Sequence, residues 1–249
     1  CGGGVAFKLA EALIGREAAI LLEAKNIIKD YGEGRVLDDV SLQIHKGEVI
    51  VLIGPSGCGK STFMKMVLRL EDPTSGEILF DGEDILALKG EALRQHRQRI
   101  QMVFQDPAQA FHPRMKVKDI ICEPLLNFKR ISKKEVPQKA AELLELVDLP
   151  AEFAERYPHN MSGGQRQRVA IARALALEPD VLICDEATSA LDVAVQKSIV
   201  ELLCKLQAEK NISIGFVCHD MALVGSLAHQ VAVMYLGSIV EVLEGEDLY

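Results

Sequence analysis

The sequence predicts an α/β fold, with a parallel-sheet core and a helical segment inserted into it. Three observations carry that expectation. Apolar runs of strand length recur along the chain, chiefly Glu48 to Ile53, Val181 to Cys184 and Ile212 to Val217. Segments of helical periodicity lie between them, the longest from Val117 to Ala176. The first of those apolar runs leads into Gly54-Pro55-Ser56-Gly57-Cys58-Gly59-Lys60-Ser61, a G-x-x-x-x-G-K-[ST] loop that joins a buried strand to a helix.

Taken in order, Cys1-Gly2-Gly3-Gly4 carries neither an initiator Met nor a signal-peptide pattern. Residues 1–19 therefore read as an N-terminal extension, truncated or engineered, in which Val5 to Ile14 suits a short amphipathic helix. The remainder, residues 20–249, reads as one domain. Ile20 to Ile28, Val40 to Ile44 and Val49 to Ile53 are expected strands, with a turn at Asp30-Tyr31-Gly32-Glu33-Gly34. Glu77 to Phe80 is another, closed by Asp81-Gly82, and Gln101 to Phe104 is one more. Ala140, Ala141, Leu143, Leu144, Leu146 and Val147 repeat at helical spacing before Asp148-Leu149-Pro150 stops the helix. Val193 to Gln207 reads as a helix, and Ala232 to Tyr235 with Ile239 to Val242 as a terminal hairpin. There is no internal repeat and no low-complexity tract.

Composition bounds the function. A chain of 249 residues with 49% apolar and 26% charged residues is ordinary globular material with ample core. A formal charge of −8 argues against nonspecific nucleic-acid binding, which rests on neutralising phosphates. No apolar stretch reaches the length of a membrane span, so a membrane role is peripheral. The six cysteines form no C-x-x-C pair, and Cys58, Cys184 and Cys218 sit in or beside apolar runs, as cytosolic thiols do.

The loop at residues 54–61 suits polyphosphate. Glycines let backbone N–H groups close around phosphate oxygens, and the helix that follows adds its own unpaired N–H groups. Lys60 would reach the β- and γ-phosphates, and Ser61 would ligate Mg²⁺. Cys58 places a thiol beside that lysine and helix terminus, surroundings that lower a thiol pKa.

Two further segments have matching chemistry. In Met161-Ser162-Gly163-Gly164-Gln165 a Ser at an N-cap position opens a helix through two glycines, a second anion-binding terminus. Val181-Leu182-Ile183-Cys184-Asp185-Glu186 is an apolar strand ending in two carboxylates. Asp185 suits the Mg²⁺ shell and Glu186 the attacking water.

In this combination the chain resembles an ATP-binding-cassette (ABC) ATPase. Met161 to Gln165 is similar to the family's L-S-G-G-Q signature, with Met for the first Leu. Ser189-Ala190-Leu191-Asp192 matches its D-loop, His219 falls where the switch histidine belongs, and Gln105 where a strand-ending glutamine does. The resemblance runs from about Leu22 to Tyr249. It implies a P-loop NTPase core, an antiparallel β subdomain and an α-helical subdomain at about 107–176. It also implies roles. Lys60, Ser61 and Thr62 hold phosphates and Mg²⁺, with N–H groups from Gly57, Cys58 and Gly59. Asp185 and Gln105 complete the metal and water environment, Glu186 polarises the water, His219 contacts the γ-phosphate, and Tyr31 stacks on adenine. Ser162, Gly163 and Gly164 close the site of a second cassette, identical or different, that faces this one head to tail.

Phe104-Gln105-Asp106-Pro107 with Pro113-Arg114, Glu123-Pro124-Leu125 and Tyr157-Pro158-His159 is similar to the oligopeptide, dipeptide and nickel importers, with His112 for the usual Asn. That subfamily implies transmembrane permease partners, an extracytoplasmic solute-binding protein acting indirectly, and a peripheral place on the cytoplasmic face of the membrane. Its members usually carry a C-terminal extension beyond the cassette; the sequence stops at Tyr249, so that extension is expected to be absent or removed. Dipeptides or oligopeptides are the first expectation for the solute and nickel or a metal chelate the second. A soluble, ATP-switched interaction protein is the expectation from another class.

Overall fold

The computed structural model describes residues 19–218 and 221–245. In chain order it forms β1 (Ile20–Asp30), β2 (Arg35–His45), β3 (Val49–Ile53), α1 (Lys60–Val67), β4 (Ser75–Phe80), β5 (Glu83–Asp84) and α2 (Gly90–His96). Next come β6 (Ile100–Val103), α3 (Pro107–Ala110), α4 (Val117–Asn127), α5 (Val136–Leu146) and α6 (Gly163–Leu175), with 3₁₀ turns at Ala151–Glu155 and Pro158–Asn160. The chain closes with β7 (Val181–Asp185), α7 (Val193–Lys210), β8 (Ser213–Val217), α8 (Met221–Leu227), β9 (Gln230–Tyr235) and β10 (Ser238–Glu244).

Two sheets result. One is antiparallel, ordered β2-β1-β4-β5. The other is ordered β10-β9-β3-β8-β7-β6, and only its β10 edge is antiparallel. Its central strand β3 is buried on both faces, as its unbroken apolar run requires. Alternation then divides the core. Ile50 and Leu52 join α1 (Phe63, Met64, Met66) and the antiparallel sheet (Leu22, Ile27, Leu37). Val49 and Val51 join the helices on the other side, including Ile121, Leu144, Val169 and Leu203. The helix that follows the phosphate loop is thus clamped between two sheets. Each buried large side chain contributes about 1.5–3 kcal/mol.

The expected strands and helices are present, with altered bounds. The second strand begins at Arg35, not Val40, because bulges at Asn26 (φ 49°) and Asp39 (φ 56°) absorb its polar residues, tied by Asn26 Nδ2 donating to Asp39 Oδ1 at 2.7 Å. Helix α2, rich in polar residues and opened by Gly90, had no expectation. The sixth strand ends at Val103, so Gln105 does not end a strand but lies in the loop beyond it. Cys1 to Gly4, Val5 to Ile14 and His219 fall outside the described residues.

His96 at the end of α2 is 8% exposed, edge-on to the Phe80 ring at 5.0 Å, and its Nε2 has no hydrogen-bond partner among the described residues. Burial, with the Arg99 and Arg69 charges adding, lowers its pKa to about 4. Between that value and the unfolded value near 6.5, the unfolded chain binds a proton that the fold refuses. The stability from keeping His96 neutral is therefore complete above pH 6.5 and is lost as pH falls towards 4. Replacing it by Leu is expected to reduce the loss of stability between pH 7 and 4.5 by roughly 2 kcal/mol. Urea denaturation of both proteins at the two pH values measures this, and equal losses would contradict it.

Candidate active site

Because β9, β3, β8, β7 and β6 run parallel, their C-terminal ends open on one edge of the sheet. Register places Leu52, Val217 and Asp185 on one rung. Just past it come the Gly54–Gly59 loop, Glu186, Gln105 and Cys218. Segments far apart in sequence thus meet around one mouth.

The loop and α1 have a geometry that suits an anion. Gly54 (φ 151°) packs so tightly that a Cβ there would lie 2.1 Å from the Met234 carbonyl oxygen. Gly59 caps α1 in the left-handed region (φ 108°), so the helix begins with no side-chain cap and no acidic residue in its first turn. Its first N–H groups and positive dipole end are left for a ligand. Lys60 is 4% exposed, and its ammonium donates to the carbonyls of Gly54 (2.8 Å) and Pro55 (2.9 Å) and to Cys58 Sγ (3.6 Å). The thiol of Cys58 is 5% exposed and turned inward towards Gly54 and Lys60, so only its backbone serves the open side of the loop.

Ser61 Oγ donates to Asp185 Oδ1 at 3.0 Å, across 124 positions of sequence. Burial holds the Asp185 carboxyl above its usual range and the adjacent Glu186 charge pushes the same way, while the bond from Ser61 opposes them. Glu186 has φ 48°, a conformation rare outside glycine and concentrated at functional sites. Its backbone is pinned: Glu186 N–H donates to Val217 O (3.2 Å), and Ser189 N–H and Oγ donate to Glu186 O (3.1 and 3.0 Å). Gln105 Nε2 in turn donates to Ser189 Oγ at 3.1 Å. Ser61 and Asp185 are hard oxygen donors, a set that fits Mg²⁺, which takes few protein ligands and completes its shell with water and phosphate.

The Ser162 segment opens α6. Ser162 and Gln165 form a reciprocal capping box at the start of α6, with Gln165 N–H to Ser162 Oγ at 3.3 Å and Ser162 N–H to Gln165 Oε1 at 3.0 Å. Gly163 and Gly164 permit close packing: a Cβ on them would lie 3.1 Å from Leu191 Cδ2 and 2.5 Å from Val195 Cγ1. Asp192 caps α7 by accepting from Val195 N–H at 3.0 Å. Tyr31 stands 54% exposed beyond β1 and donates to Glu71.

With this geometry in place, comparison with known proteins decides the family. The ABC transporter family model matches residues 37–189. The chain belongs to the ABC transporter family. It is 49% identical over 215 residues to a probable peptide ABC transporter ATP-binding protein, y4tS, of Sinorhizobium fredii (strain NBRC 101917 / NGR234), covering 86% of this chain. It is 45% identical over 235 residues to the oligopeptide transport ATP-binding protein OppF of Bacillus subtilis (strain 168), covering 92% of this chain. The matched region spans 61% of the first relative's length and 77% of the second's. Among solved structures, the ATP-binding cassette MJ0796, a dimer bound to ADP and Pi, superposes with a TM-score of 0.81 at 32% identity, covering 90% of this chain and 98% of that one. CbiO1 of Clostridium perfringens, part of the transporter complex cbiONQ, superposes with a TM-score of 0.84 at 30% identity, covering 92% and 90%.

This ABC cassette also places at the mouth a residue that carries no motif signal. The hairpin turn between β9 and β10 backs the phosphate loop, with Gly237 N–H donating to Cys58 O at 3.0 Å. The Cys58–Gly59 peptide is trans, so anchoring its carbonyl on the hairpin turns the Gly59 N–H to the opposite, open side. In sequence, the glycine at Gly237, between the two expected hairpin strands, is the hint.

Proposed function

We propose that this chain is the ATP-binding and ATP-hydrolysing subunit that energises a membrane importer of dipeptides or oligopeptides. The observation that carries the ATPase reading is the Ser61–Asp185 contact, which joins the phosphate loop to the strand ending in Asp185 and Glu186. The relatives' names favour peptides over nickel or a metal chelate.

Gly54 to Thr62 wrap the triphosphate, and Lys60 exchanges its loop carbonyls for β- and γ-phosphate oxygens. Ser61 and Asp185 hold Mg²⁺, which when bound neutralises charge on the β- and γ-oxygens. Glu186, on its pinned backbone, polarises the water, while Gln105 and His219 address the water and the γ-phosphate. Tyr31 carries the base. Ser162, Gly163, Gly164 and Gln165 serve the nucleotide of a second cassette. The dimeric solved relatives support that reading.

The helical segment at about 107–176 then transmits closure to permease subunits. No described helix is long and apolar enough to cross a membrane, and on this reading the permease subunits hold the chain at the cytoplasmic face. The test is ATPase rate in proteoliposomes holding this chain, its partner cassette, its permeases and their solute-binding protein. A di- or oligopeptide is expected to raise the rate. Stimulation by a nickel chelate alone would overturn the peptide assignment.

The hairpin backing has its own expected result. At Gly237 (φ 85°) alanine is strained, and its Cβ would meet the Val36 carbonyl oxygen at 2.6 Å. Gly237→Ala should lower ATP affinity roughly tenfold, the effect of one misdirected donor, at a stability cost of about 1–3 kcal/mol. Calorimetric titration with ATP alongside thermal denaturation measures both. Unchanged affinity would show that the hairpin does not shape the loop.

A further inference from the structure

Tyr31 is more firmly placed than an exposed turn residue needs to be. Its hydroxyl donates to Glu71 Oε2 in a short bond spanning 40 positions of sequence. Glu71 stands just past the end of α1, where its N–H and that of Leu70 both reach the Lys65 carbonyl oxygen, at 3.4 and 2.9 Å. Its other carboxylate oxygen lies 3.7 Å from the Lys65 ammonium. The Lys29 ammonium sits 4.9 Å from the centroid of the Tyr31 ring, over its face, and is itself held by the Asp72 carbonyl oxygen at 2.7 Å. The backbone on either side of Tyr31 is fixed too: Asp30 N–H donates to Thr74 Oγ1 (3.0 Å), and Gly32 N–H donates to Asp30 Oδ1 (2.6 Å). The shared bond raises the Tyr31 phenol above its ordinary pKa and lowers that of the Glu71 carboxyl.

These contacts tie an aromatic ring to the far end of the helix whose near end opens at the phosphate loop. We propose that Glu71 is a positioning residue: it holds Tyr31 as a stacking platform for the purine base, in register with the phosphates bound at the N-terminus of α1. The proposal rests on the nucleotide reading above. Without Glu71 the ring must be ordered again at each binding event, and immobilising one side chain weakens binding by about three- to tenfold.

The test is calorimetric titration of the whole chain with Mg-ATP and, separately, with inorganic tripolyphosphate. Glu71→Ala is expected to weaken ATP binding about three- to tenfold and leave tripolyphosphate binding unchanged, since only ATP carries a base. Glu71→Gln keeps an acceptor oxygen and should stay within twofold of the wild type. Tyr31→Phe, which lacks the hydroxyl, should match Glu71→Ala, and the double variant should be no worse than either. If Glu71→Ala weakens both ligands equally, its role is general support of α1 and the proposal fails. If Tyr31→Ala weakens ATP binding but Glu71→Ala and Tyr31→Phe do not, the ring stacks without help from Glu71, and the proposal fails while the nucleotide reading stands. If Tyr31→Ala leaves ATP affinity intact, the assignment of Tyr31 to the base falls, and the role of Glu71 with it.

Discussion

Replacing Lys60 by Ala is expected to reduce ATP binding and turnover at least a hundredfold. Lys60 is the cation that the motif puts on the β- and γ-phosphates, and charge-assisted contacts are about twice as strong as neutral ones. Losing a single well-aimed donor at a reacting centre commonly costs 10²- to 10³-fold. The structure adds a control. The same ammonium bridges the Gly54 and Pro55 carbonyls and Cys58 Sγ, so the substitution also loosens the loop. Thermal stability should therefore be measured with nucleotide affinity. Loss of binding with the melting temperature kept near wild type supports the assignment, whereas near-normal ATPase activity in the purified variant refutes it.

Glu186→Gln is expected to turn the ATPase into an ATP-locked dimer. The carboxylate is assigned to the water and not to binding, so the amide should keep ATP while hydrolysis falls by about 10²- to 10⁴-fold. The backbone anchors of Glu186, to Val217 and Ser189, do not involve its side chain, so the left-handed conformation should survive the change. ATP that is not hydrolysed stays across the interface and favours the dimer by mass action. Size-exclusion chromatography with Mg-ATP, in the presence of the natural partner cassette, reads the outcome. A variant that still elutes as a monomer would overturn the shared-site mechanism.

The strand Val49–Ile53 was read to the residue, because a buried parallel strand is an unbroken apolar run that stops where glycine begins. The Ser162 N-cap was legible for a similar reason, since a capping residue acts within one turn of itself. The first half of β2 was not, because Asp38 and Asp39 interrupt its apolar alternation, and only the bulges at Asn26 and Asp39 let the strand carry them. Helix α2 was missed because seven mostly polar residues opened by glycine carry little periodic signal. The inward turn of the Cys58 thiol was hidden too, since a motif names a residue without saying which way its side chain points.

By itself the sequence determined the local chemistry: a glycine loop suited to phosphate, a helix terminus behind it, a strand that ends in two carboxylates, and the family these motifs mark. Each depends on residue identity and on periodicity over a few positions, where backbone sterics and side-chain chemistry act directly. The tertiary structure decided what those pieces meet. It brought Ser61 to Asp185, set Gly237 behind Cys58, tied Tyr31 to Glu71 and packed the Ser162 segment against Val195. These contacts join residues far apart in sequence. They follow from the order β10-β9-β3-β8-β7-β6 and from burying α1 between two sheets. Strand order is a global outcome of packing, and no short window of sequence encodes it.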